Sequence, residues 1–476
     1  MRHIVITALF ILSTFTFVFL PDITEARQIT GQGYGKTEKE AKREALGDLS
    51  LAIQANIQSE FKQLVTVIAK GGDEDVETTS NKLMQVKSEL PILGAEFTLS
   101  PLKKEIMAQA ILDFEDIILY EEKLSDFIKE ADSYLVMLKK ARSSGKEYDT
   151  LMSLLALVKQ FYKYKIVAVM LNSKKVPDFP ITEAEVRERV RRLGIMVKSI
   201  DLAAKLISKG IKKEKIYIYP PVTRGSHEVT QFASVVRHNL ATYLRTAQSP
   251  KDADYFMIGE YEIAKDGIEL VYHLSDINFN TIGTKIVTLA PKSYASYETK
   301  PKTINFDKLL YEGYVVSGDF RVDVSTDRGR ESLLFESDDN VELFVKMNRP
   351  GYLYLVGHVI KEKAKYSYII DIQEGVGGRK FIYYINADDV NKWMSLGKFE
   401  VIPPFGVESL QMIASSHDLV EHLPSYKYNN KLELFVVDKN PEKGLMKTRA
   451  IKKKIDRKYK LSENVLMFTT MKGYGN

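Results

Sequence analysis

Gly31-Gln-Gly-Tyr-Gly35-Lys-Thr-Glu-Lys-Glu40 opens the first folded part of this 476-residue chain. Thr37 and Glu40 have the spacing of a capping box, in which each side chain accepts a hydrogen bond from the other residue's backbone amide at a helix start. Small and apolar residues follow at mostly three- or four-residue spacing; they are Ala41, Ala45, Leu49, Ala52, Ile53 and Asn56. The pattern predicts a helix over residues 40–58 whose face is small enough to lie flat on a sheet.

Three short strands are predicted after this helix, and Pro91 and Pro101 separate them. They run over about Asn81 to Ser88, Ile92 to Thr98 and Glu105 to Phe114. Residues 27–115 are therefore predicted to form an α+β domain. The whole chain is predicted to be an α+β multidomain protein, in which small α/β domains flank a helical segment and the carboxy-terminal domain is mostly β.

The glycine-containing start, the Ala-rich helix and these strands resemble the LPP-twenty lipoprotein family of bacterial outer-membrane proteins. Members of that family commonly carry a lipidated cysteine at the mature amino terminus, but this sequence has no cysteine. The family's lipid anchor therefore cannot be transferred to this chain. Gly35-Lys36-Thr37 also looks like the end of a phosphate-binding loop, yet that motif needs a glycine where Thr30 stands, so no nucleotide or other cofactor is expected.

Residues 1–26 have the pattern of a secretory signal peptide. Arg2 and His3 precede an uncharged run over residues 4–20, and Thr24-Glu25-Ala26 supplies a small-residue cleavage site. The mature chain is expected to begin at or near Arg27 and to be periplasmic, or peripherally associated with the outer membrane or the cell surface. The alternative is an uncleaved anchor, because the run approaches the ~20 residues that span a bilayer.

Residues 116–210 carry a helical periodicity. Two antiparallel helices are predicted on either side of Ser143-Ser144-Gly145; their apolar seams are Leu124, Ile128, Ala131, Leu135 and Leu138, and Leu151, Leu155, Val158 and Tyr162. A third helix is predicted from the Thr182 cap, unbroken to Gly210, with a solvated face that is made by Arg187, Glu188, Arg189, Arg191 and Arg192. Two interpretations stay open: the seams pack on one another or on a neighbouring domain, or the helices form a projecting arm that docks a partner.

A second small α/β domain is predicted over residues 211–300, and residues 301–317 are predicted to be a linker. A strand at Lys215 to Tyr219 precedes a helix that opens at Ser226. Three more strands are predicted over residues 255–262, 268–275 and 285–289, with a tight hairpin at Asp266-Gly267. The pattern around Asp254 to Gly259 resembles the small α/β domain of flagellar accessory and curli-transport envelope proteins.

Residues 318–476 are predicted to be mostly β. Strands over residues 341–347 and 352–360 are joined through Asn348-Arg-Pro-Gly351, where Gly351 is expected to take the positive φ of a type II turn. Further strands are predicted over residues 366–370, 381–385, 432–437 and 465–470. The start at Arg349 to Tyr354, the element Pro403 to Glu408 and Thr448-Arg449 resemble the uncharacterised bacterial family called domain of unknown function 4384, which implies no activity.

Two elements of this domain are candidate interaction sites. Pro403, Pro404, Phe405 and Gly406 lead to Glu408. They predict either a rigid corner, with Glu408 placed to favour the dipole of a helix that starts after it, or a ligand groove lined by Phe405. Residues 443–460 hold nine basic residues against one acid, with a centre made of Lys452, Lys453, Lys454, Arg457 and Lys458. This basic segment is a candidate contact for anionic lipid or cell-wall polymer, or else a solvated face.

No catalytic or metal site is expected. The histidines after residue 26 lack metal-ligand spacing, the chain has no Gly-x-Ser-x-Gly motif, and without cysteine it has no thiol nucleophile. The pairs Asp338-Asp339 and Asp388-Asp389 lie in predicted turns, where aspartate caps backbone amides. A formal net charge of +5 is small for this length and, with export, excludes nucleic acid as an expected partner.

These observations predict a non-catalytic periplasmic or cell-surface protein that scaffolds or helps to assemble a bacterial envelope complex, with envelope proteins as partners. The alternative is a binding module for cell-wall polymer or anionic lipid. An enzyme of unknown activity is the third hypothesis.

Overall fold

The structure is a computed structural model that describes residues 28–59, 90–102, 105–193, 196–277, 280–311, 320–330, 332–360, 364–372, 380–401, 405–451 and 459–472. The predicted signal peptide and the predicted strand Asn81 to Ser88 lie outside these residues. The fold class is mixed α+β, as predicted, with several sheets along the chain.

The first unit is a three-stranded antiparallel sheet covered by one helix. Its elements are β1 (Gln28–Gly35), α1 (Glu38–Ser59), β2 (Glu96–Pro101) and β3 (Ile106–Asp113), and the strand order is β1-β3-β2. The predicted capping box forms, since Glu40 N donates to Thr37 Oγ1 and Thr37 N donates to Glu40 Oε2, each over 3.2 Å. The strand β1 was not predicted, because its glycines and polar residues give no run of β-formers.

The glycines of β1 bring its backbone directly against α1. A Cβ atom built on Gly33 would lie 2.2 Å from the backbone nitrogen of Ala45, and one on Gly31 would lie 2.2 Å from that of Leu49. Neither glycine has a positive φ, so glycine is not needed here for its backbone freedom. It is needed because the backbone of α1 lies too close to β1 to leave room for a side chain. On the helix side, Ala41 and Ala45 are fully buried, which is the small face that the sequence predicted.

The predicted helical hairpin is present as α2 (Ile117–Lys140) and α3 (Ser144–Met170). The third helix differs from the prediction. It begins at the predicted Thr182 cap as α4 (Glu183–Arg192), but it ends there, and a short strand, β4 (Met196–Val197), precedes α5 (Ile200–Ser208). Ser199 caps α5 by accepting from Leu202 N, so a second helix start interrupts the heptad-like spacing.

The second sheet has the order β4-β9-β8-β7-β5, with β6 paired to β7. Its other elements are β5 (Ile216–Ile218), β6 (Val222–Thr223), α6 (Gln231–Ala241), β7 (Tyr255–Ala264), β8 (Gly267–Asp276) and β9 (Thr281–Leu289). The predicted hairpin joins β7 and β8. The helix α6 starts later than predicted, because Thr230 provides its cap while the buried Ser226 donates to Asp307.

The predicted linker contains a helix, α7 (Ile304–Tyr311). Its Phe306 and Leu310 are buried in one cluster with Val407, Val465 and Met467 of the last domain. Two apolar residues four positions apart were too short a pattern to reveal this helix by periodicity.

The last domain is a β-sandwich with two small helices on its outer face. Its elements are β10 (Val322–Thr326), β11 (Leu333–Glu336), β12 (Asn340–Met347), β13 (Gly351–Ile360), β14 (Lys365–Ile369), β15 (Tyr383–Ile385), β16 (Met394–Glu400), β17 (Val407–Ser415), β18 (Lys427–Asn429), β19 (Leu434–Asp438), α8 (Pro441–Arg449) and β20 (Leu461–Met471). One sheet is β10-β12-β16, and the other is β11-β20-β17-β13-β14-β19-β18 with β15 on β13. Both sheets contribute side chains to one core cluster.

The connection at Asn348 to Gly351 is a corner between the two sheets, since β12 and β13 do not pair. The prediction of a positive φ at Gly351 was wrong, because Gly351 is not among the described glycines with positive φ. A Cβ atom there would lie 2.7 Å from the carbonyl oxygen of Ser415. The glycine is therefore needed for close approach of two strands at the corner.

A buried polar network joins the larger sheet to α7 and α8. His358 is fully buried between Ser367 Oγ, 2.7 Å from Nδ1, and Gln411 Oε1, 3.2 Å from Nε2. Gln411 also donates to Glu463, which pairs with Arg449 of α8 over 2.7 Å. Arg449 in turn donates to the carbonyl oxygen of Leu309 in α7 over 2.8 Å.

Replacing a β1 glycine tests the strand–helix contact. Gly33→Ala is expected to lower the free energy of unfolding by about 3 kcal/mol, because α1 must move away from the strand. Gly47→Ala is the matched control: it lies within α1 with nothing within 4 Å of the added Cβ, and alanine is the better helix former there. Chemical denaturation measures both variants. Equal stabilities for the two would contradict the close contact.

Burial lowers the pKa of His358 to about 4, although its hydrogen bond to Gln411 opposes the shift. Between pH 6.5 and 4 the unfolded chain binds this proton and the folded chain does not, so the stability falls as the pH falls. The expected loss between pH 7 and pH 4 is about 3 kcal/mol for this histidine. Denaturation of the parent and of His358→Gln between pH 7 and pH 4 measures this loss of stability. Parallel profiles of stability against pH for the two proteins would refute its assignment to His358.

Candidate functional site

The far end of the helical hairpin is partly exposed, although Leu135, Leu138 and Tyr148 pack against the core. We define the hairpin tip as residues 132–150, and none of its side chains is buried, whereas α2 before it and α3 after it contribute many core residues. The nine residues of α2 that follow Ala131 extend for about 13 Å. Two of their apolar side chains are exposed, Val136 at 48% and Met137 at 55%.

The base of the hairpin tip is fixed to the second sheet. The hydroxyl of Tyr148 donates to the carbonyl oxygen of Ile286 in β9 over 2.6 Å and accepts from the backbone nitrogen of the same residue over 3.2 Å. Ser143 caps α3 by accepting from Lys146 N, which ends the turn between the two helices. The tip is therefore exposed but held in one position.

A groove of about 350 Å³ runs between the hairpin tip and the start of α4. Its apolar lining is Leu135, Leu138, Pro180 and Ile181, and its charged lining is Lys139, Glu147, Glu185 and Arg189. Glu185 serves the capping box, because its Oε2 accepts from Thr182 N over 2.8 Å. Within the described part of the chain, the side chains of Lys139, Glu147 and Arg189 form no ion pair, so their charges are available to a ligand.

The opposite face of α4 is buried in a cluster of charges, which corrects the prediction that Arg187 lies on a solvated face. The Arg187 guanidinium is 3% exposed and binds Glu183, Glu260 and Glu269. Three more cations surround these carboxylates: Lys159 lies 2.7 Å from Glu260, Arg224 lies 2.7 Å from Glu183, and Arg191 lies 3.4 Å from Glu269. We call these seven residues the Arg187 network.

The Arg187 network lowers the pKa of two of its carboxylates, Glu183 and Glu260. Burial opposes ionisation of Glu260, but Lys159 and Arg187 outweigh it and hold the pKa of Glu260 well below its usual value. Because the network joins α3 and α4 to β7 and β8, it fixes the groove relative to the second sheet. Periodicity alone could not show that Arg187 points inward, because the carboxylates that satisfy it are 73 and 82 residues away.

The predicted element Pro403 to Glu408 is described only in part. Pro403 and Pro404 lie outside the described residues. Phe405 is half-buried against the core of the sandwich, and Gly406 N donates to Thr470 Oγ1 over 3.0 Å. Glu408 lies within the strand β17, so no helix begins there. These contacts favour the rigid-corner interpretation over a groove lined by Phe405.

The predicted basic segment lies largely outside the described residues, so its role at the surface stays a prediction. Lys452, Lys453, Lys454, Arg457 and Lys458 lie outside them. Of the others, Lys447 pairs with Asp438 over 2.8 Å, and Arg449 pairs with Glu463. Both of these cations hold α8 on the sheet rather than facing a ligand.

The other residues that were weighed for chemistry have structural partners. Arg328 forms a bidentate pair with Asp339, over 2.7 and 2.9 Å, and Asn386 and Asp388 share a turn. Among the described residues, no three His, Asp or Glu side chains are grouped closely enough to hold a metal ion. From the sequence, the hairpin tip was predicted only through the alternative in which the helices dock a partner. The signal that identifies it is the pair Val136 and Met137, which are exposed and lie off the predicted apolar seam.

No protein-family model matches the chain, and no curated protein matches it. Among solved structures it is similar to the crystal structure of the secreted protein HP1454 from the human pathogen Helicobacter pylori, with 12% sequence identity and a TM-score of 0.24. That match covers 60% of this chain and 95% of the other. A TM-score this low carries no inference about activity or partners, so the three family resemblances stay predictions.

No helix in the described ranges is long and apolar enough to cross a membrane.

Two arginines of α4 test the Arg187 network. Arg187→Met is expected to lower the free energy of unfolding by about 3–5 kcal/mol, because it leaves three carboxylates without their central cation. Arg192→Met changes the same residue type on the same helix, but its side chain is 74% exposed. The control is expected to change stability by less than about 0.5 kcal/mol. Similar losses in the two variants, measured by denaturation, would show that the network is not buried.

Proposed function

We propose that this protein is an exported, non-catalytic scaffold or assembly protein of a bacterial envelope complex, and that it binds a partner protein at the hairpin tip. The signal-peptide pattern of residues 1–26 supports export. The resemblance of its first and last domains to LPP-twenty lipoproteins and to domain of unknown function 4384 supports an envelope location. Since the chain has no cysteine to carry a lipid, such a partner would be one means of holding it at a membrane.

The observation that carries this proposal is the exposed apolar surface of a tip that is held rigid. Val136 and Met137 are exposed neighbours, along α2, of Leu135 and Leu138, which line a groove of mixed apolar and charged side chains. Exposed apolar surface next to a concave, partly charged site is typical of protein interfaces. Because Tyr148 and the Arg187 network hold both walls, binding there would require little ordering of this chain.

The charges of the groove indicate what the partner presents. Lys139 and Arg189 are available cations on α2 and α4, and Glu147 is an available anion on α3. A segment with an acidic side chain beside an apolar one would match the two cations and the apolar part of the lining. A groove of about 350 Å³ accommodates one or two large side chains rather than a folded surface.

The absence of catalysis is part of the proposal, and the burial of two histidines, His273 and His358, is in keeping with it. His358 is fully buried in the network described above, and His273 is 7% exposed, with Thr284 2.8 Å from its Nδ1. Burial holds the pKa of His273 well below its usual value, so its ring stays neutral inside the protein. Neither ring faces a cavity where a substrate could reach it.

Crosslinking in intact cells tests the docking site. A photoreactive amino acid at position 137 is expected to capture one reproducible envelope protein. The additional substitution Arg189→Glu is expected to reduce the amount of this crosslinked product roughly tenfold or more, because the substitution reverses a charge in the groove. The matched control is the same photoreactive amino acid in place of Ile118, a 59% exposed residue of α2 about 28 Å away.

Equal products from positions 118 and 137, or no product from either, would count against docking at the tip. Fractionation of the same cells, with a mass measurement of the mature start, tests export separately. A chain that retains residues 1–26 in the cytoplasm would overturn the envelope assignment.

A further inference from the structure

The residues just before α7 are held by a buried carboxylate from the loop that connects β6 to α6. Glu228 lies in this loop, and the residue is 6% exposed. Its Oε2 atom accepts hydrogen bonds from Lys302 N over 2.7 Å, and from the backbone nitrogen and the hydroxyl of Thr303, each over 2.9 Å. The loop therefore fixes the point at which α7 begins.

A second buried carboxylate, that of Asp307, holds the same contact from the side of the helix. Asp307 lies in the first turn of α7, and its Oδ2 atom accepts from Ser226 Oγ over 3.0 Å and from His227 N over 3.2 Å. The residue is 1% exposed. Its Oδ1 atom is also buried, and among the described residues this atom has no hydrogen-bond partner. We call residues 226–230 and 302–307 the α7 junction.

The α7 junction joins the second sheet to the sandwich. In the loop, Thr230 Oγ1 lies 2.8 Å from the hydroxyl of Tyr261 in β7. Its neighbour Val229 donates from the backbone nitrogen to Thr469 Oγ1 in β20 over 2.9 Å. In α7, the side chain of Phe306 is buried in one cluster with side chains of β17 and β20. A change of charge at the junction therefore acts on the contact between these two units.

The two carboxylates of the junction are not balanced by a cation. Within the part of the chain that the structure describes, neither Glu228 nor Asp307 forms an ion pair. The other charged or titratable groups around α7 are His227 of the loop, Tyr261 of the second sheet, the exposed Lys302 and Lys308, and His358, Arg449 and Glu463 of the sandwich. Lys302 pairs with Glu298 over 3.1 Å, and Arg449 binds Glu463 and the far end of α7.

Burial raises the pKa of Asp307 to about 6, and the negative charge of Glu228 acts in the same direction, whereas hydrogen bonds from His227 N and Ser226 oppose the shift. The folded chain therefore binds this proton at a pH where the unfolded chain, whose aspartate titrates near 3.8, has lost it. The stability that the proton contributes is fully present below pH 3.8 and is lost as the pH rises through about 6. This direction is opposite to that of His358.

We propose that the α7 junction is an acid-strengthened latch, which holds the second sheet to the sandwich most firmly when Asp307 carries a proton. When Asp307 is ionised, a negative charge is buried and one of its oxygens meets no donor, which is unfavourable. Protonation removes the charge and leaves the two hydrogen bonds to Oδ2 in place. The latch shares no residue with the hairpin tip or its groove. Its use as a response to acid surroundings rests on the export proposed above.

Hydrogen exchange of the full mature chain tests the latch. It is followed by mass spectrometry on peptides that cover α7 and is corrected for the intrinsic effect of pH on exchange. Asp307→Asn keeps the shape of the side chain but cannot ionise. Opening of the junction in the parent, relative to Asp307→Asn, is expected to rise roughly fiftyfold between pH 4 and pH 7. This ratio cancels the opposite effect of His358, which both proteins contain. Asp126→Asn changes an aspartate of α2 whose side chain is 62% exposed, and this matched control is expected to behave like the parent.

Two further variants identify the group that titrates. Glu228→Gln removes the neighbouring negative charge and keeps an oxygen acceptor, so the midpoint of opening is expected to move to lower pH. A purely structural role of the junction would not move this midpoint. Histidine rings titrate in the same pH range, so His227→Asn is the variant that separates the two groups, and it is expected to leave the midpoint unchanged.

The same pH dependence in Asp307→Asn as in the parent would overturn the latch, as would its loss in His227→Asn or an unchanged midpoint in Glu228→Gln. Free exchange of α7 at every pH in Asp307→Asn would also overturn it, because the carboxylate would then be needed for its hydrogen bonds and not for its charge. Crosslinking from position 137 is expected to be the same in Asp307→Asn and in the parent, so the latch and the proposed docking site are tested independently.

Discussion

The architecture depends on one buried carboxylate. Asp48 of α1 is 3% exposed; it accepts from Gln32 N in β1 over 2.8 Å and binds Arg321 and Lys346 of the sandwich, each over 2.9 Å. Burial opposes its ionisation, but Lys346 and Arg321 outweigh that effect and hold the pKa of Asp48 below its usual value. Asp48 reaches these partners only because the β1 glycines let α1 lie against the strand. The first unit and the last domain thus meet around this carboxylate.

Buried polar networks repeat this principle at the other junctions. The Arg187 network joins the helical segment to the second sheet, and the network of His358 and Glu463 joins the sandwich to α7 and α8. Burying charge costs desolvation energy, so such networks add little net stability, but a partly satisfied one is strongly unfavourable. They therefore act mainly to select one arrangement of the units. This explains how a chain of several small cores holds the hairpin tip in a fixed position. The hairpin tip combines exposed aliphatic side chains with available charges and rests on helices and the second sheet.

The sequence by itself determined the local elements: the Thr37 and Thr182 caps, the α2–α3 hairpin, the small face of α1 and most strands of the sandwich, since these follow from spacing between near neighbours. Tertiary structure decided what depends on distant partners. Strand β4 pairs with β9 and ends the third helix early, Arg187 turns inward to meet carboxylates of the second sheet, and α7 folds because the last domain buries Phe306. The rings of Tyr428 and Phe435 meet only because β18 pairs in register with β19. Periodicity shows which side chains share one face of a helix or strand. It does not show which distant residues pack on that face, and those long-range contacts supply the stabilising free energy.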